Sequence, residues 1–329
     1  MNQSGDLKPP HANPANRIGL DYRQHGIARL GFPRIDVHSH VNDVSHTRAL
    51  LDAADCFEIG AIVSMTALAK LPDIAAAHPD RFRFIAVPQW RKFEVTSEFR
   101  ALWCDDLRAF SANGSRWCKF WVAPPMRGDR GLTLQSEFLR PVIETALALN
   151  FQFMVHVGDP SVWFAPGARY SDAAKYGSKI DQYPQLDWFA EFVAPRTVIA
   201  AHMGGSAEDP TFLDRLLSRH ANLMLDTSAT KWIVREVSRH PLAIRELVTK
   251  WPDRVLFGSD IVTDEQHDFE HYASRYWAQE TLWQTDYRGE SPIDDPDAAN
   301  PPRLHGVALP PDVLKKVFRE NALRIKIAS

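Results

Sequence analysis

Eight short apolar runs alternate with longer amphipathic stretches along this chain, and several runs end at or just before a residue type that binds metals. The runs are Arg34–His38, Ala61–Thr66, Phe82–Val87, Trp117–Trp121, Phe151–His156, Thr197–Ala201, Asn222–Asp226 and Val255–Gly258. Strands that alternate with helices pair in parallel through βαβ units. Eight units favour a (β/α)8 barrel of the TIM type over an open, doubly wound sheet. A glycine-rich phosphate turn after the first strand would favour the open sheet, but His38-Ser39-His40 stands there. Helices are expected at Thr47–Glu58, Ser97–Phe110, Ser136–Leu149, Pro210–Arg219 and Ile233–Lys250, with a closing helix at Pro311–Ile327. Residues 31–329 then form a single barrel domain, preceded by an arm, 1–30, that is disordered or packed on the outside.

About fifty residues separate Asp260 from Pro310, far more than a usual βα loop. The insert after strand 8, 264–310, carries an aromatic helical stretch from Tyr272 to Trp283. Its position predicts a lid or pocket wall in preference to a contact between subunits.

A barrel gathers the C-terminal ends of its strands on one face, where active sites lie. His38, His40, His156, His202 and Asp260 would therefore converge, although they are far apart in sequence. Residues two apart share one side of a strand, so His38 and His40 can reach one ion. Asp36 is expected on the same inward row, as an acceptor fixing an imidazole tautomer. Each element alone is more often structural; the combination points to a metal-dependent enzyme. Gly204-Gly205 behind His202 would admit a close approach of backbone or substrate.

These motifs are similar to those of the amidohydrolase superfamily, in its amidohydrolase-related branch, which includes aminocarboxymuconate-semialdehyde decarboxylase and γ-resorcylate decarboxylase. The resemblance runs from Ile35-Asp36-Val37-His38-Ser39-His40 to Phe318-Arg319-Glu320-Asn321-Ala322-Leu323. It implies one divalent metal ion bound by His38, His40, His156 and Asp260, usually Zn2+, with His202 contacting substrate or the bound water. Imidazoles with one carboxylate suit zinc and tolerate manganese. The catalytic roles then fall to Asp260, which can accept a proton, and His202, which can polarise or protonate. Lys119 ends the fourth strand; it is open to three readings, a carbamate bridging a second metal, a cation facing substrate, or a structural amine.

Trp90, Trp121, Trp163 and Trp232 lie at or just beyond strand ends, and Lys119, Arg127, Arg130, Arg169 and Lys231 are expected on the same face. Aromatic walls and cations suit a small aromatic or unsaturated carboxylate. Lys119, Trp121, Trp163, Arg169 and Asp226 are the substrate-binding candidates, Asp226 being equally readable as a helix cap. The reaction is either hydrolysis by a metal-activated water or non-oxidative decarboxylation; a barrel keeping its metal for structure alone is the third reading.

The chain has a formal charge of −3 and no basic footprint for nucleic acid. No apolar run approaches a membrane span. Three cysteines without CxxC spacing read as reduced thiols of a cytoplasmic protein. A small-molecule substrate is the expected partner, and a homodimer stays open.

Overall fold

The computed structural model describes residues 13–298 and 301–328. Eight parallel strands form the barrel: β1 (Arg34–His40), β2 (Ile59–Ser64), β3 (Phe82–Phe84), β4 (Trp117–Trp121), β5 (Gln152–His156), β6 (Val198–Ala200), β7 (Leu223–Asp226) and β8 (Val255–Leu256). They pair in order within two arcs, β1 to β3 and β4 to β8. Backbone bonds join the arcs. Ala86 N–H donates to Trp117 O (2.8 Å) and Lys119 N–H to Ala86 O (2.9 Å) on one side. Val37 N–H donates to Phe257 O (3.0 Å) on the other. The ring is closed, and no barrel strand is left as an edge.

Seven of the eight strands, with Ile85 just beyond β3, contribute to one apolar cluster in the lumen, including Ile35, Val37, Val63, Trp117, Met154, Ile199, Met224 and Leu256. Ala322 and Ile327, from the end of the chain, join that cluster and plug its N-terminal end. The larger surrounding core packs strands against the outer helices. In β4, β5 and β7 the period of two then carries the inward row from Trp117, Met154 and Met224 to Lys119, His156 and Asp226.

Strand β1 breaks that period. Asp36 pairs with Ile62 and Ser39 with Ser64, so three steps on β1 face two on β2. Such a bulge re-aims side chains. Val37 faces the lumen and His38 the cavity, whereas Asp36 receives the Tyr276 hydroxyl (3.2 Å), the Ser259 hydroxyl (2.6 Å) and the Ser259 N–H (3.0 Å). The expectation that Asp36 orients an imidazole from the inward row is therefore corrected: the bulge puts it against the loop that carries Asp260.

Helices differ from expectation where proline intervenes. The stretch expected at Ile233–Lys250 is two helices, Thr230–Val237 and Pro241–Lys250, because Pro241 has no N–H to continue the first. Pro310 precedes the closing helix, which includes a π turn at Lys316–Glu320. The Val317 carbonyl accepts Phe257 N–H (2.9 Å), tying this helix to the end of β8.

A lid over 264–310 is not what the described residues build. Helix Phe269–Gln284 packs beside Thr47–Cys56 and Thr230–Val237, in the outer helical ring. Tyr272, Tyr276, Trp277 and Trp283 are buried there, and no residue of 264–310 lines the main cavity. A helix apolar on several faces belongs inside a fold, and this one stands where the ring closes. Residues from 13 to 30 lie along it: Asn16 Nδ2 donates to Glu270 (3.3 Å), and Tyr22 is buried. Residues 1–12 of the expected arm lie outside the described residues.

Candidate active site

A cavity of about 650 Å³ opens at the C-terminal ends of the strands. Its floor holds His38, His40, Lys119, His156, His202 and Asp260; Trp90, Phe93, Trp121 and Trp232 supply aromatic surface. Trp90 meets Trp121 edge-on at 5.8 Å, and Trp232 lies 6.1 Å from the His156 ring.

His38, His40 and Asp260 converge. Asp260 Oδ1 lies 3.3 Å from His38 Nε2 and 3.1 Å from His40 Nε2. Asp260 reaches this position through a left-handed backbone, φ 60°. Its N–H donates to the His38 carbonyl (2.8 Å), which fixes that conformation across the β8–β1 seam. A non-glycine residue held this way stores local strain, which surrounding structure must over-determine. Gly258 allows the close packing: a Cβ there would stand 2.9 Å from His38 Cβ.

Behind the triad, His38 Nδ1 meets Asp226 Oδ2 at 2.8 Å. This bond keeps Nδ1 protonated and leaves Nε2 as a lone-pair donor toward the triad, the arrangement by which a carboxylate orients a metal-binding histidine. Asp226 also accepts the His202 N–H (2.8 Å) and the Ser228 hydroxyl. Ser228 Oγ lies 2.7 Å from His202 Nδ1. Asp226 is fully buried, does not line the cavity, and neither caps a helix nor faces a substrate here.

The charges are interlocked. Burial works against the Asp226 and Asp260 carboxylates, but the neighbouring histidines outweigh it and hold both below the usual range. Burial and Lys119 oppose charge on His38, yet Asp226 and Asp260 raise it. Burial lowers His40 and, far more, His202, which the nearby His156 also disfavours as a cation. Burial brings the Lys119 amine down to about 8. Its Nζ stands 3.3 Å from His38 Nε2.

His156 lines the cavity, but its Nε2 is turned to Asp159 Oδ1 at 2.8 Å and lies outside the triad. Its ring stands 4.5 Å from that of His202. His202 also has a left-handed backbone, φ 59°, which aims its side chain into the cavity after β6. Gly205 is required: a Cβ there would fall 2.0 Å from Gly158 O, so the β5 and β6 turns could not pack together.

Among the remaining candidates, Lys119 and Trp121 line the cavity. Trp163 and Arg169 do not. Trp163 is buried behind Trp232 at 4.7 Å, and the Arg169 guanidinium sits over it at 3.9 Å. Arg130 lines the mouth, Arg127 donates to Asp181 O (2.7 Å), and Lys231 lines a second cavity. Asp159, Ser228 and Ser259 escaped sequence reading. Asp226-Thr227-Ser228 was the available signal, since short polar side chains two apart bond locally.

The donor set fits a divalent ion. Two imidazoles and a carboxylate present atoms within 4.8 Å of one another, and one imidazole is oriented by a buried acid. The fold and this cluster together define a metal-dependent barrel enzyme. The amidohydrolase family model matches residues 35–325, and the chain belongs to that family, as a hydrolase or carboxy-lyase. No curated protein sequence matches it. Its fold is similar to that of 5-carboxyvanillate decarboxylase from Novosphingobium aromaticivorans, solved with manganese and 4-hydroxy-3-methoxy-5-nitrobenzoic acid (TM-score 0.53, 12% identity, 91% of this chain and 97% of that one). It is also similar to a lactonase from Listeria monocytogenes (0.52, 13%, 90% and 94%) and to 4-oxalomesaconate hydratase from Rhodopseudomonas palustris (0.50, 16%, 90% and 96%). No described helix is long and apolar enough to cross a membrane, and all three cysteines are free.

Proposed function

We propose that this chain is a mononuclear metal-dependent hydrolase acting on a small aromatic or unsaturated carboxylate. The observation that carries the reading is the His38–His40–Asp260 triad, backed by Asp226, on the floor of an aromatic cavity. His38, His40 and Asp260 would hold zinc or manganese, with His156 the remaining ligand candidate, and the ion would supply Lewis-acid polarisation.

The chain's own groups do the rest. Asp260, ionised at neutral pH, accepts a proton from a water as that water's oxygen bonds to the acyl carbon. The acyl bond to the leaving nitrogen or oxygen then breaks, and the proton passes to that atom. His202, neutral and anchored through Nδ1 by Ser228, presents its other face to the substrate. Lys119 offers a cation to a carboxylate, and the tryptophans exclude water.

Decarboxylation is the second reading, favoured by the aromatic walls and by the likeness to 5-carboxyvanillate decarboxylase. There the bond to CO2 breaks, its electron pair stays on carbon, and a proton from water, relayed by Asp260 or His202, is delivered to that carbon while the hydroxide left behind is neutralised by solvent. The test is a panel of aromatic and unsaturated carboxylates, with their esters, amides and lactones, offered to zinc- and manganese-loaded protein. Hydrolysis supports the first reading and CO2 release the second; turnover of neither class with either metal rejects both.

A further inference from the structure

Behind the triad, three side chains can share their hydrogens in one way only. Ser228 Oγ stands between Asp226 Oδ1, which it touches closely, and His202 Nδ1, at 2.7 Å. All three residues are buried. A hydroxyl has a single proton to give, so one of its two contacts must receive hydrogen from the other side.

The geometry decides which. Asp226 Oδ1 already accepts two backbone N–H groups, from His202 (2.8 Å) and from Ser228 (3.1 Å). An oxygen engaged in this way carries no proton of its own, whatever the charge of the carboxyl group. The proton between it and Ser228 Oγ is therefore the hydroxyl's. Ser228 then turns a lone pair to His202, and a contact of 2.7 Å needs a hydrogen that only His202 Nδ1 can supply. Were the hydroxyl to serve His202 instead, Ser228 Oγ and Asp226 Oδ1 would meet lone pair to lone pair, at the cost of a buried hydrogen bond. His38 Nδ1, 3.0 Å from Ser228 Oγ, does not compete, because it is bonded to Asp226 Oδ2 at 2.8 Å. Burial, with His156 nearby, holds His202 well below the usual histidine range, so the ring carries one proton at neutral pH.

We propose that Ser228 is a positioning residue that locks His202 as its Nδ1–H tautomer, so that Nε2 meets the cavity as a lone pair. The bond made by one ring nitrogen thus sets the role of the other. His202, which lines the main cavity, accepts a hydrogen bond there, from a water or from a hydroxyl of the substrate. It gives up a proton only after it has taken one, and it does not begin as a donor that polarises a carbonyl. The inference holds under either reaction proposed above, and its test measures no turnover.

The test is two-bond proton–nitrogen correlation NMR at neutral pH on the full chain labelled with nitrogen-15 histidine, loaded with zinc and after chelation. Loss of a signal in His202→Ala assigns it. Both parent samples show His202 protonated on Nδ1 alone. In the chelated Ser228→Ala chain the tautomer ratio moves toward Nε2–H by about tenfold, as loss of one buried hydrogen bond predicts. Asp226→Asn is the second variant, and it keeps the test decisive if Ser228→Ala folds poorly. The two backbone N–H groups hold the amide oxygen in the place of Oδ1, so His202 keeps its tautomer in the chelated chain, while His38 Nδ1 now faces an amide N–H and its ring proton moves to Nε2. A residue that acted through packing alone would not move the proton of one histidine and leave that of the other. A parent His202 protonated on Nε2 or on both nitrogens, an unchanged ratio in Ser228→Ala, or a changed ratio at His202 in Asp226→Asn overturns the proposal.

Discussion

Asp226 shows how one buried carboxylate can set the chemistry of a site it does not enter. It fixes the tautomer of His38, holds the backbone of His202 and takes the Ser228 hydroxyl. Asp226→Asn should keep the shape but leave Nδ1 of His38 poorly oriented, lowering metal affinity about 10–100-fold. His38→Ala and His40→Ala should lose the metal outright, whereas His202→Ala should retain it and lose turnover. Elemental analysis after dialysis against graded chelator separates the four variants; equal loss in His202→Ala would make it a ligand. Away from the site, another histidine also contributes to acid lability. Burial, with Arg275 and His267 nearby, depresses His271 to about 2. Its folded pKa lies below the unfolded value near 6.5, so the unfolded chain binds the extra proton and stability falls as pH drops below about 6.5. The Tm difference between pH 7.0 and pH 5.5 should shrink in His271→Gln; an unchanged difference would assign acid lability elsewhere.

At the scale of elements, the strands were legible and the segment after them was not. The eight apolar runs gave every barrel strand, because a parallel strand buried on both faces must be apolar throughout. The bulge in β1 left no sequence mark, so Asp36 was read onto the wrong face. Helix Phe269–Gln284 was read as a lid because its apolar residues need cover, and composition does not say which surface provides it. The structure ties it to β1. Arg34 Nε approaches Glu280 Oε1 to 2.7 Å, off the hydrogen-bonding axis, with both side chains buried. Burial pushes the Glu280 carboxyl up to about 8, although Arg34 opposes this. A carboxyl raised that far is largely protonated at pH 7, and Arg34 keeps Glu58 at 2.9 Å, so Glu280→Ala does not leave the guanidinium unpaired. What is lost is a buried polar contact, and Glu280→Ala should cost about 1–3 kcal/mol. Denaturant unfolding measures it. A true lid would give the opposite pattern, unchanged stability with impaired turnover.

The whole molecule separates two tasks between the ends of its barrel. The C-terminal ends carry converging acids and imidazoles, two of them on left-handed backbone. At the N-terminal end Ala322 and Ile327 plug the lumen, and strain above has to be offset by packing elsewhere. Asn321-Ala322, legible in the sequence only as a motif, turns out to make that plug. Asn321 is buried and its amide donates to both Pro252 O and Val255 O, each at 2.8 Å, fastening the closing helix to the start of β8. Ala322 stands beside it in the lumen cluster, where a small side chain meets the lowest layer. Asn321→Ala should strand two backbone carbonyls without opening the cavity above. At about 1–3 kcal/mol for a stranded buried group, the loss should reach about 3 kcal/mol and lower Tm by several degrees. Below that Tm the variant should bind metal with the parent stoichiometry, because the triad hangs from the opposite ends of β1 and β8 and from His38 O and Asp226. Calorimetry with metal analysis on the same samples checks both halves. A variant that stays folded but loses its metal would show that the two ends of the barrel are coupled, and the division of tasks would have to be abandoned.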